Sequence, residues 1–210
     1  MIDEVPRRQT RAEQRVATRA AILDAAGRCL VEDGYASLTT RRIAERAKVA
    51  QSTLMHHFPT REALIVEAVS HLALQLADKA LEEIDLSRVR SAKGREIVLD
   101  HVWRVFTSPE SLAAAQLWFA AWNEPELAAA LHDLEERLTG VMLATASAVM
   151  PELTDHPDFP ALVETGTSLI RGLVMAIPVS GRETVEARWE AVRPVLSRTA
   201  GELLATPAAA

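Results

Sequence analysis

The 210-residue sequence predicts an all-α chain, and three observations carry that prediction. Aromatic residues make up only 4% while Ala, Leu, Glu and Arg abound, a composition of helix formers with few β-branched clusters. Apolar residues recur at i, i+3 and i+4 spacing over long stretches. Gly34, Pro59, Pro151, Pro157 and Gly181 fall at breaks between those stretches.

Residues 1–11 are polar, carry Pro6 with Arg7, Arg8 and Arg11, and lack an apolar period, which predicts a flexible basic arm. A first helix is expected over about 12–33, with Val16, Ile22, Leu23, Ala26, Cys29 and Leu30 inward and Gly34 as its left-handed stop. Thr39 then caps a short helix whose apolar face is Ile43, Ala44 and Ala47. After a break at Lys48 and Val49, a second short helix runs from about Gln51 to Phe58, with Leu54 and Phe58 inward, and Pro59 ends it. Two short helices across a tight turn, braced by a longer one, make a three-helix helix-turn-helix, so residues 12–60 are expected to bind DNA.

From a cap at Thr60 a long helix carries Leu64, Ile65, Ala68, Leu72 and Leu76 to about Ile84. At 1.5 Å per residue it is long enough to leave the head and enter the body. A loop over 88–94 precedes helices at about 96–107, 109–122, 125–149, 159–179 and 182–204, with Ser108–Pro109 and Asn123 before Pro125 as start signals. The body therefore spans 61–204, and 205–210 are expected to fray.

The net charge of −6 is unevenly divided. Residues 7–61 hold 11 Lys and Arg against 5 Asp and Glu, whereas 62–210 hold 12 against 22. A basic head on an acidic body predicts a polyanionic partner for the head alone and argues against a nonspecific architectural DNA binder, which needs basic charge over most of its surface. Cys29 is the only cysteine, which excludes an internal disulfide and a thiolate metal cluster and predicts a buried thiol. No run approaches the roughly 20 uninterrupted apolar residues of a spanning helix, and residues 1–19 lack a secretory apolar stretch, so a cytoplasmic location without membrane contact is expected. There is no phosphate-cradling Gly loop, nucleophile elbow or HExxH pair, and the adjacent His56 and His57 point about 100° apart on a helix. Neither an enzyme nor a bound cofactor or metal is expected.

The stretch TTRRIAERAKVAQSTLMHHFPTREAL, preceded by AILDAAGRCLVEDGY, resembles the N-terminal region of TetR-family repressors over about residues 15–68. LWFAAWNEPELAAAL is weakly similar to the ligand-binding domain of some members. The resemblance implies nine helices, the first three and the start of the fourth holding DNA. It implies helices four to seven around an effector pocket, the last two pairing into a dimeric four-helix bundle, and release of DNA on ligand binding. Two positions depart from the pattern: Lys48 stands where the turn usually has Gly, at about 1 kcal/mol of strain if left-handed, and Met55 replaces the usual Tyr, so it cannot donate to a phosphate.

On the second short helix Gln51, Ser52, Thr53, Met55 and His56 face outward near the end that enters a major groove. Gln51 suits adenine, Thr53 and Met55 a thymine methyl, and His56 a phosphate or guanine. Thr39, Thr40 and Arg41, with Arg61, are expected to hold phosphates. Arg7, Arg8 and Arg11 either track the backbone or form a solvated tail. In the body Trp103, Phe106, Trp118, Phe119 and Trp122, with Met142 and Met175, are either plain core or pocket wall, and His101, Gln116, His132 and Arg171 supply polar groups. Such a wall suits a hydrophobic or aromatic effector, or a cation on a ring face. Leu162, Leu169, Leu173, Val192, Val195 and Leu196, with Gly166, Gly172 and Ala176 for close approach, either form a homodimer interface or cover the chain's own core. A dimer implies a pseudo-palindromic double-stranded operator with half-sites about 34 Å apart. The alternative is a constitutive repressor with no regulatory ligand.

Overall fold

A computed structural model describes residues 10–84 and 89–205, and within them the chain forms nine α-helices and no strand. They are α1 (Arg11–Asp33), α2 (Thr40–Ala47), α3 (Gln51–His57), α4 (Arg61–Glu83), α5 (Ala92–Phe106), α6 (Pro109–Ala121), α7 (Pro125–Val149), α8 (Phe159–Ser180) and α9 (Arg182–Ala205). Side-chain caps set several starts. Thr39, Thr60, Ser91 and Ser108 each accept from an amide of the following turn, satisfying a donor the helix leaves open. The Ser91 cap starts α5 at Ala92, so residues 92–94, expected in a loop, are helical.

The arm at Arg7 and Arg8 lies outside the described residues, and Arg11 is the first residue of α1 rather than part of the arm. Thr10 caps that helix in a reciprocal pair with Glu13, and the amide of Thr10 donates to Glu13 Oε2 at 2.7 Å. Val16, expected inward, is 69% exposed, because α1 buries side chains in the core only from Ile22 onward. Gly34 stops α1 with φ 74° and ψ 166°, positive φ but extended ψ. Lys48 ends α2 at φ 57° and ψ 39°, in the left-handed region.

Two cores hold the molecule. The first joins Ile22, Leu30, Ile43, Leu54 and Phe58 of the head to Leu64 and Ile65 of α4 and on to Leu117, Leu127 and Leu134 of α6 and α7. It runs unbroken past residue 60, so head and body share one apolar cluster. Cys29 is fully buried in it, and burial pushes its thiol pKa up. The second core sits between α5, α8 and α9. Trp103 and Trp189 stack there at 5.0 Å and 7°; Trp103 Nε1 donates to Glu186 (3.3 Å) and Trp189 Nε1 to Asp100 (3.0 Å), which also accepts from Arg193 at 2.7 Å.

Leu196, expected on a dimer surface, is buried in this second core, and Leu169, Leu173, Ala176 and Val192 are partly buried against it. Half-buried, these four side chains pack on α5 and the α8–α9 seam and keep part of their surface open. Val195 is 48% and Val179 91% exposed. Taken by length and composition, α8 meets the standard of a membrane span, although no uninterrupted apolar run marks it: Glu164, Arg171 and several small residues interrupt the sequence. It packs on α7 and α9 and keeps an open face.

Candidate nucleic-acid interface and ligand cavity

The head presents α3 on a fixed base. Leu54 and Phe58 are buried beneath it, and the Arg19 guanidinium lies over the Phe58 ring, 5.0 Å from its centroid. With those two inward, helical geometry turns Gln51, Ser52, Met55 and His56 to solvent, while Thr53 is half-buried. Gln51 Nε2 donates to Thr40 Oγ1 at 3.4 Å, tying the start of α3 to that of α2. Thr39 and Arg41 are exposed; the Thr39 hydroxyl accepts from the Arg42 amide and Arg41 pairs with Glu45 on its own helix.

Part of the head's positive charge is neutralised within the fold. Arg42 pairs with Asp33 at 2.7 Å, Arg46 with Glu32 and Arg19 with Glu67, whereas Arg15 and Lys48 have no ion pair among the described residues. Burial, with Arg15 nearby, lowers the pKa of His57 and keeps its ring neutral near pH 7.

Arg61 departs from expectation. Rather than reaching out toward phosphate, it turns inward. Nε donates to the carbonyl of Leu38 (3.0 Å), Nη1 to the Tyr35 hydroxyl (3.0 Å) and Nη2 to the carbonyl of Tyr35 (3.4 Å), and the guanidinium lies 4.6 Å from the Tyr35 ring centroid. The Tyr35 hydroxyl donates to Glu124 Oε2 at 2.5 Å, and its amide donates to Gln116 Oε1 at 3.3 Å. Tyr35, in a 3-10 turn between α1 and α2, thereby links the head, the start of α4, the middle of α6 and the residue before α7. The physical reason is proximity: the Leu38 and Tyr35 carbonyls of the short turn between α1 and α2 lie within reach of a planar five-donor group, the Tyr35 carbonyl accepting from it in addition to the Leu38 amide.

The body holds a cavity of about 590 Å³ between α4, α5, α6, α7 and α8. Leu72 and Leu76, Phe106, Trp118, Leu138, Met142, Val163 and Met175 form much of its wall. Glu110, Glu135, Glu164 and Arg171 bring charge to it. Arg171 donates to Glu135 and lies 3.8 Å from Glu164, and Trp118 Nε1 donates to Glu135 at 3.2 Å, so one carboxylate fixes both the aromatic wall and the cation.

Of the body residues singled out from sequence, the cavity brings together Phe106, Trp118, Met142, Arg171 and Met175. The others lie elsewhere. Trp103 is in the Trp189 stack; Gln116 binds Tyr35; Phe119 is 51% and Trp122 89% exposed; His132 is exposed. His101 is 5% exposed, its Nδ1 accepts from Arg104 (3.0 Å), and Nε2 is buried without a partner among the described residues. The α5 and α6 residues share a stripe in sequence but not a site: a 100° step turns Phe119 away from Trp118, and Trp122, although one turn on from Trp118, lies past the last residue of α6. Sequence reasoning missed Tyr35, Glu124 and the three cavity glutamates; Glu135 alone carried a signal, a charge among apolar positions of a long helix.

Against known proteins, residues 22–68 match the family described as bacterial regulatory proteins, tetR family. The match runs from within α1 to the first turns of α4. The transcriptional regulator CymR of Pseudomonas putida is 28% identical over 138 residues, covering 63% of this chain and 64% of CymR, so the chain aligns with just under two thirds of that relative. A TetR-family regulator from Mesorhizobium loti superposes with a TM-score of 0.65 at 19% identity, over 94% of this chain and 98% of that one. The multidrug binding protein EbrR, in complex with proflavin, does so with a TM-score of 0.62 at 20% identity, over 86% and 98%. At those identities the structures show a shared fold.

Proposed function

We propose that this chain is a sequence-specific DNA-binding transcriptional regulator of the TetR family, acting as a dimeric repressor that a small lipophilic effector releases from its operator. The observation that carries the reading is the outward set Gln51, Ser52, Met55 and His56 on a helix whose opposite face is locked into the core. One such helix covers only a few base pairs, so two copies in neighbouring grooves are needed for a specific site. The 590 Å³ cavity, walled by aliphatic residues with Trp118 and Phe106, is of ordinary ligand size and suits an apolar or aromatic effector. CymR is a regulator by name and EbrR holds proflavin, both consistent with these roles.

The open faces of α8, with Val179, and α9, with Val195, are the surface proposed for dimerisation, and the chain is proposed to work in the cytoplasm without catalysing a reaction. Thr39, Thr40, Arg41 and Thr53 remain proposed DNA contacts, with Arg61 reassigned to bracing the head. Selection of duplexes from a random library followed by footprinting tests this. A symmetric protected site, with half-sites about 34 Å apart, is expected. A cavity ligand should weaken operator binding by about five-fold to over a hundred-fold. Protection of one asymmetric half-site, or equal affinity for all duplexes, would refute the reading.

A further inference from the structure

Beside the large cavity lies a second of about 160 Å³, and six residues, Ala80, Val102, Met142, Thr145, Val163 and Thr167, line both. The small chamber continues between α5, α7 and α8 to α9, where buried Leu196, Ser197 and Ala200 meet it. Among the described residues its one charged wall residue, Arg95, already donates to the carbonyls of Ser197 (2.9 Å) and Arg90 (2.8 Å). No aromatic ring lines it. Apart from the Thr145 and Thr167 hydroxyls at the junction with the large cavity and the committed Arg95 and Ser197, the described walls are aliphatic, and so narrow an annex admits a flexible hydrocarbon chain end and excludes a fused ring system.

The large chamber has the opposite character. Three carboxylates face one guanidinium there, and that guanidinium is held by two of them. Glu110 has no ion pair or hydrogen bond among the described residues. An anionic head group would have to displace Glu135 from Arg171 and then meet the remaining carboxylates, whereas a cationic one finds negative charge and the Trp118 ring.

We infer that the two chambers form one site for a single-chain cationic amphiphile, with the ammonium head in the large chamber and the end of the alkyl chain in the small one. This rests on the reading of the large cavity as an effector site, and the small chamber then sets the preferred chain length. Isothermal titration of the whole protein without DNA, using n-alkyltrimethylammonium salts from butyl to dodecyl below their micelle concentrations, tests it. Affinity should rise by about fourfold for each methylene that enters the annex. The alkyl sulfate of equal length should bind at least tenfold more weakly. Ala146→Phe, which fills the annex from α7, should abolish the gain for long chains and leave binding of proflavin, a compact cation, unchanged. Ala146→Leu should do so in part, which keeps the test valid if the larger residue fails to fold. Proflavin binding with no chain-length dependence, or tighter binding of the sulfates, would overturn this inference and leave the effector site standing. Failure of proflavin and every alkyl cation to bind would remove both.

Discussion

At the scale of single residues, backbone and protonation states carry the consequences. Lys48 holds φ 57° at the helix-turn-helix corner, where an L side chain crowds the following carbonyl. Lys48→Gly is expected to raise stability by about 0.5–1 kcal/mol in urea denaturation, less what glycine loses in chain entropy. A lower midpoint would mean that the lysine side chain contributes more than the strain costs. His101 differs in kind. Burial, then Arg104, depress its pKa, with Glu83 opposing. The unfolded chain therefore binds the proton first, so unfolding gains on the folded state as pH drops below the ordinary histidine range near 6.5. Thermal melts between pH 7.5 and 5 should show Tm falling with pH, and His101→Gln should flatten that slope.

At the scale of elements, the Tyr35–Arg61–Glu124 cluster decides how the head sits on the body. Tyr35→Phe removes a hydroxyl that accepts from Arg61 and donates to Glu124, and it should cost about 1–3 kcal/mol because both partners lose a bond in a half-buried site. For Arg61→Ala the expected result is a lower Tm with an unchanged slope of log affinity against log salt, whereas Arg41→Ala, at a proposed phosphate contact, should reduce that slope by about one. A flattened slope for Arg61→Ala would return that side chain to the phosphates. Helix order and most boundaries were legible because local signals set them: Thr39, Thr60 and Ser108 cap where a hydroxyl precedes an apolar period. The exposed face of α3 followed from Leu54 and Phe58 for the same reason. The direction of Arg61 was illegible, since its acceptors Leu38 and Tyr35 lie over 20 positions away and are carbonyls, which every residue has. Trp118 and Phe119 differ by one position, about 100° around α6, and end one in the cavity wall and one at the surface, a choice set by what packs against the helix.

At the scale of the whole molecule, two cores meet across α5, α6 and α7, and the cavity lies where neither fills the space. Trp189→Ala would empty the second core, cost about 3–5 kcal/mol and loosen α9. Val179→Glu with Val195→Glu changes only exposed positions, so light scattering should report a monomer of intact fold, and an unchanged dimer mass would place the interface elsewhere. Cys29, the sole thiol, is sealed inside the first core and held protonated, and so should be silent toward maleimides in the native state. That silence makes the protein its own background-free label carrier. A cysteine placed at exposed Ala36 would take one spin label per chain, and the distance between the two labels of a dimer would then read out directly how far apart the heads stand, with and without ligand.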